Sequence, residues 1–162
     1  VEALVWSRPT SERTVTGKVI FQGVRPFGTK PTSARVEFRN PTTDDLVATL
    51  NPSVDAAGNY TVLAPKPYGN YKMTVKGVNW LSKKQDVDTS AANVTAITVS
   101  LKNGDLDGDD EISILDYLAL SAAYESIPTS PDWNPTADLD KDLEVTILDY
   151  LLLSANFGLT GS

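Results

Sequence analysis

The chain of 162 residues contains no cysteine and no histidine. Disulfides, Cys nucleophiles, His-based triads and zinc sites of the usual kind are thereby excluded, because each needs a thiol or an imidazole. No apolar run approaches the ~18 to 20 residues that cross a bilayer, so no membrane span is expected. Low-complexity tracts are missing too, and Gly and Pro number only ten each. The opening VEALVWSRPT has neither a basic n-region nor a long apolar h-region, so no signal peptide is read there, which places the chain in no compartment. An apolar share of 41% is slightly lean but compatible with a packed core. The length suits one domain or two small ones.

The charge that is present is unevenly divided. Residues 1–104 hold 13 Lys and Arg against 8 Asp and Glu, whereas residues 105–162 hold a single basic residue, Lys141, against 13 acidic ones. The change of sign at KNGD marks a boundary, and modules are expected at 1–102 and 103–162. The acidic half argues against nucleic acid as a partner, since phosphate backbones call for positive charge.

The hydrophobic period changes at the same place. RTVTGKVIFQG alternates Val15, Gly17, Val19 and Phe21 with polar neighbours, and ARVEFRN, GNYTVLA, GNYKMTVKG and VTAITVSL read likewise between turn residues. An all-β antiparallel sandwich of six or seven strands is expected, with ALVW near the start as a candidate edge strand. After Gly104, ILDYLALSAAYES (114–126) and ILDYLLLSANFG (147–158) read as helices, joined by the Pro-rich IPTSPDWNPTA. The fold class is therefore two modules: the sandwich, then a small α module of two loop–helix units.

The head of each unit carries the chemistry. Counted from its first Asp, the first loop puts acidic oxygens at places one, three, five and twelve: Asp105, Asp107, Asp109 and Asp116. The second repeats them as Asp138, Asp140, Asp142 and Asp149. Place seven, Glu111 and Glu144, would offer a backbone carbonyl, and place nine, Ser113 and Thr146, a water or hydroxyl. This is EF-hand spacing, which wraps a hard cation in about six or seven oxygens. Solvated acidic turns capping helices are the plainer alternative, but five matching acidic places in each copy favour two Ca²⁺ ions. Ile112 and Val145, both at place eight, are expected to pair with each other through a short β bridge. The sixth place departs from the pattern: Asp110 and Leu143 stand where Gly would take a left-handed turn. Leu should lose roughly 1–2 kcal/mol there, making the second site the weaker by about tenfold.

A duplicated Ca²⁺ loop, each followed by one helix with no helix before it, resembles a dockerin, and DWNPTADLD resembles the lead into a second dockerin repeat. The resemblance covers about residues 103–159. It implies non-catalytic, calcium-dependent docking of a secreted or cell-surface polypeptide onto a cohesin-like module of a cellulosome-type assembly. VDAAGNYTVLAPKPYGNYKMTVKGVNWL resembles immunoglobulin-like or carboxypeptidase-regulatory-like sandwiches, the kind called X modules where they precede dockerins. That implies a stabiliser or spacer.

The helices are apolar on two faces. Tyr117, Leu120 and Tyr124, with Tyr150, Leu153 and Phe157, form a face read as core. The second face holds Leu115, Ala119 and Ala122, and in the twin Leu148, Leu152, Ala155 and Leu159. It packs either on the sandwich or on a partner. Ile114–Leu115 and Ile147–Leu148 fall at the tenth and eleventh loop places, which contact cohesin in dockerins, and Ser121–Ala122 and Ser154–Ala155 follow at matching positions. The resemblance implies near two-fold symmetry and two binding orientations. Two other functions stay open. Polysaccharide is expected as a partner only indirectly; in the alternative, Tyr60, Tyr68, Tyr71 and Trp80 could form a sugar platform on a dockerin-anchored sandwich, although core is the simpler reading. The tail could also be a calcium-stabilised structure with no receptor. No nucleophile with a base appears, so catalysis is not expected.

Overall fold

A computed structural model of the chain describes residues 11–162; the expected ALVW strand lies outside them. Seven strands run in order: β1 (Thr14–Phe21), β2 (Arg35–Arg39), β3 (Leu46–Leu50), β4 (Asn59–Leu63), β5 (Asn70–Lys76), β6 (Lys83–Asp88) and β7 (Val94–Leu101). They form a three-stranded sheet, β4-β1-β7, facing a four-stranded sheet, β3-β2-β5-β6. The expected sandwich is therefore present, with one difference in its pairing. β1 and β7 run parallel, while β1–β4 and the ladders of the larger sheet are antiparallel.

The alternation read in the sequence is what closes the two sheets on each other. Tyr71, Met73 and Val75 of β5, Val36 and Phe38 of β2, Tyr60 and Val62 of β4 and Val15 and Val19 of β1 all point into one buried core. Between Val15 and Val19 the inward position is Gly17, opposite Tyr60 across the ladder. A Cβ at Gly17 would lie 2.7 Å from the Tyr60 hydroxyl, so the missing side chain makes room for the ring. The DAAGNY turn follows its residue types. Asp55 accepts from the Ala57 and Asn59 amides at 2.9 and 2.8 Å, and Gly58 takes φ +91, which an L side chain rarely adopts.

Tyr60, Tyr71 and Trp80 are buried, and Tyr68 is packed against the same core. Trp80 stands edge-on to Phe21, ring centroids 4.9 Å apart, with Nε1 donating to Gln22 O at 2.9 Å. These aromatics are core and form no exposed sugar platform.

Two helices follow, α1 (Ile114–Ala122) and α2 (Ile147–Asn156). Both end earlier than their apolar pattern predicts, because the residues beyond are used elsewhere. The Glu125 amide donates to Val145 O at 2.8 Å, and the Val145 amide to Ser126 O at 3.0 Å. The same exchange recurs at Ile112: Gly158 N–H to Ile112 O at 2.8 Å, and Ile112 N–H to Leu159 O at 2.9 Å. Glu125 and Gly158 both take positive φ to turn the chain into these contacts. The expected bridge between Ile112 and Val145 is thus corrected. Each place-eight residue pairs with the segment leaving the other unit's helix, which swaps the two units around an approximate two-fold axis. Tyr117 and Tyr150, equivalent residues, meet at that axis with their hydroxyls bonded and their rings 5.0 Å apart.

The core of this module contains Ile112, Leu120, Ala123, Ala137, Leu139, Val145 and Leu153, and also Leu81 from the connection after Trp80. Tyr124 and Phe157, read as core from helical spacing, are instead exposed. They lie beyond the ends of α1 and α2, where the helical period no longer aims them inward.

Candidate metal centres and an exposed helical face

Each acidic loop is organised from its helix backwards. Ser113 and Thr146 are N-caps whose hydroxyls accept from the Leu115 and Leu148 amides at 3.1 and 3.2 Å. The place-twelve Asp completes a capping box. Asp116 accepts from the Ser113 amide at 2.7 Å with one oxygen, and from the Leu106 amide at 2.6 Å with the other. Asp149 repeats this on Thr146 at 2.8 Å and Leu139 at 2.6 Å. One buried carboxylate thereby ties helix start to loop start. The first Asp closes the middle of the loop: Asp105 takes the Gly108 and Asp110 amides, Asp138 the Asp142 and Leu143 amides. Ser113 and Thr146, given a water or hydroxyl role at place nine, have hydroxyls turned to the helix amides.

These bonds gather carboxylate oxygens within 4.8 Å of one another. Asp105, Asp107 and Asp109 converge in the first loop, and Asp138, Asp140 and Asp149 in the second. Asp116 stands beside the first cluster, its Oδ1 accepting from the Asp107 amide, and Asp142 outside the second pairs with Arg25 at 2.9 Å. Glu111 and Glu144 have exposed side chains and join neither cluster.

The clusters fit a hard cation. Asp105, Asp116, Asp138, Asp140 and Asp149 are all buried, and buried carboxylates are costly unless paired or bound to metal. Asp140, 3% exposed, leaves Oδ1 with no partner among the described residues. Burial, then the nearby charges of Asp149 and Asp142, push its carboxyl up to about 6. Burial also raises the carboxyls of Asp138 and Asp107. The donor set is oxygen alone, which suits Ca²⁺ and not a softer metal.

The sixth places adopt the conformation that their position demands: Asp110 has φ 72 and Leu143 φ 74. Asp110 has a further task that sequence reasoning missed. Its Oδ1 accepts from the Ser82 amide at 2.7 Å and Lys76 Nζ at 2.9 Å, and its Oδ2 from the Ser82 hydroxyl at 2.5 Å. Although burial opposes it, bonds from Ser82 and Lys76 hold this carboxyl below the usual range. Where glycine would serve the turn, Asp110 fastens the loop to the sandwich.

The helices bury one side and leave the other open. Ile114, Leu115 and Leu118 are 57, 55 and 59% exposed, and their equivalents Ile147, Leu148 and Leu151 are 53, 42 and 54% exposed. Ser121, Ala122, Ser154 and Ala155 continue the two exposed rows, and Leu159 is exposed beyond α2. Leu118 and Leu151 extend this face beyond the residues expected from the sequence, each one turn (i+4) after Ile114 or Ile147. Ala119 and Leu152 are half-buried. The added bulk of Leu152 lies against Gly23, where a Cβ would come within 3.4 Å of its methyl groups. The position at which the helices differ most is thus one that α2 turns towards the sandwich.

Residues 103–158 match the family model described as the dockerin type I domain. Two solved structures resemble nearly the whole chain. They are an N-terminal and a C-terminal interface mutant of the type II cohesin–X-dockerin complex from Acetivibrio cellulolyticus. The first gives a TM-score of 0.69 at 18% identity, the second 0.65 at 17%, and each covers 92% of this chain and 97% of that chain. At such identity the likeness shows a shared architecture, a sandwich followed by a two-helix module. No curated protein matches the chain.

Proposed function

We propose that the chain, whose residues 103–158 match the dockerin type I model and whose architecture is that of the X-dockerin structures, is a non-catalytic docking segment. It seats on a cohesin-like module, outside the cell, when its two loops hold Ca²⁺. The observation that carries this reading is the pair of apolar rows. Six large side chains stay open to solvent at equivalent places on two helices whose other sides are buried. Solvated residues scattered singly need no explanation, but a duplicated, contiguous row marks a contact surface.

Asp105, Asp107, Asp109 and Asp116 would hold one ion, with the Glu111 carbonyl. Asp138, Asp140, Asp142 and Asp149 would hold the other, with the Glu144 carbonyl. The ion supplies positive charge among buried carboxylates, so that both helices start from a closed loop. The sandwich acts as brace, through Asp110, Lys76, Ser82 and Leu81.

Capture on immobilised cohesins of both types, with and without chelator, tests the reading. Retention only in Ca²⁺ is expected. A chain that takes up Ca²⁺ but is retained by no cohesin would point to a structural tail instead.

The sixth places make a paired prediction. Leu143→Gly relieves about 1–2 kcal/mol of backbone strain and should tighten the second site by up to about tenfold. Asp110→Gly removes the Lys76 and Ser82 bonds and should instead lower stability by about 1–3 kcal/mol. Calorimetric titration and thermal melts of the two variants separate these effects. The larger gain in affinity at Asp110 would overturn the assignment.

A further inference from the structure

Each acidic loop is met by one cation that the sandwich supplies. Arg25, in the connection after β1, places Nε 2.6 Å from Asp140 Oδ2 and Nη1 2.9 Å from Asp142 Oδ2. The same connection grips the loop backbone, with the Arg25 amide on Asp140 O at 3.0 Å and the Thr29 amide on Lys141 O at 3.1 Å. At the other loop, Lys76 closes β5. Its ammonium pairs with Asp105 and reaches Asp110 Oδ1 at 2.9 Å and Trp80 O at 3.2 Å. Only 11% of the Lys76 side chain is exposed, and Asp105 is fully buried, so this contact escapes the solvent screening that weakens surface pairs.

We infer that Arg25 and Lys76 are resident counter-cations of the two loops: they offset carboxylate repulsion in the absence of metal and set the calcium affinity, each for its own loop. The inference rests on the calcium reading above. A fixed positive charge beside a site raises the electrostatic cost of adding a dication there, and it lowers the cost of leaving the site without one. Neither cation fills its site. Among the described residues, Asp140 Oδ1 keeps no protein partner beside Arg25, and Asp105 Oδ1 accepts only the Gly108 amide. The two arrangements also differ. Arg25 reaches places three and five of its loop, whereas Lys76 reaches places one and six, so loops alike in sequence sit in unlike fields.

The test uses the full chain carrying Arg25→Gln or Lys76→Met, stripped of metal and titrated calorimetrically with calcium chloride. Each variant is repeated with the opposite loop silenced, by Asp116→Asn or Asp149→Asn, so that one site is read at a time. Arg25→Gln should tighten the second loop about tenfold and leave the first unchanged, and Lys76→Met should do the reverse. Both should melt earlier than the wild type in excess chelator; for Arg25→Gln that deficit should vanish at saturating calcium, whereas Lys76→Met keeps the part that its Asp110 and Trp80 bonds contribute. Arg25→Lys, which keeps the charge, should titrate near the wild type. Unchanged or weaker affinity in both neutral variants, against a wild type that binds calcium normally, overturns the counter-cation role alone. A melting deficit of Arg25→Gln that persists in saturating calcium also overturns it, because it marks lost packing. A wild type that takes up no calcium overturns the calcium reading together with this one.

Discussion

Replacing Leu115 and Leu148 together with Asp is expected to abolish cohesin binding, while either replacement alone costs about a factor of two. Both side chains are largely exposed, so a charge there leaves the module's own core intact. The two rows are nearly equivalent by the exchange around Tyr117 and Tyr150. A receptor site that accepts one row can accept the other with the module turned by about 180°. Losing one of two equal poses costs RT ln 2, about 0.4 kcal/mol. Losing both buries an unpaired carboxylate in either pose, about 3 kcal/mol or more, a loss of over a hundredfold. Titration of the single and double variants against one cohesin reads the difference directly. If Leu148→Asp alone removes binding and Leu115→Asp does nothing, the chain docks in a single orientation and the symmetry is a relic of duplication.

Chelating calcium is expected to lower the helical circular dichroism and leave a residual, less stable helical module, while the sandwich stays folded. The second module has a small core, of which Leu81 belongs to the sandwich side. Against that core stand five buried loop and capping carboxylates, Asp105, Asp116, Asp138, Asp140 and Asp149. A metal present at 1,000 times its Kd contributes about 4 kcal/mol per site. Two sites then match the whole stability of a typical small domain, about 5–15 kcal/mol. Arg25 and Lys76 offset part of the repulsion but meet only Asp140 and Asp105 among those five. The sandwich has its own core and no acidic cluster among its described residues, so its strands should persist. Helicity unchanged in excess chelator would refute this.

Some features were legible because they are written within a few consecutive residues. The inward positions of β1, β2, β4, β5 and β7 follow a period of two, and the loop carboxylates follow EF-hand spacing. β3 and β6 carry no such signal, for a physical reason. Both are edge strands of the larger sheet, and burial along them does not alternate: LVATL has no buried residue, and KKQDVD has only Val87. Without a buried face there is no pattern to read.

The duplication, the loop spacing and the left-handed turns at Asp110 and Leu143 were set by local chemistry: a carboxylate caps the amides nearest to it, and a turn constrains its own φ. Which partners these groups then take was decided by the tertiary fold. Ile112 and Val145 each found the other unit's exit segment instead of each other, Leu152 turned to Gly23, and Asp110 took up Ser82 and Lys76 from the sandwich. A sequence shows that a carboxylate is present and how it is spaced. The cation that faces it comes from a distant strand or connection, and only packing the sandwich against the loops brings Arg25 and Lys76 within hydrogen-bonding distance, where their charge counts.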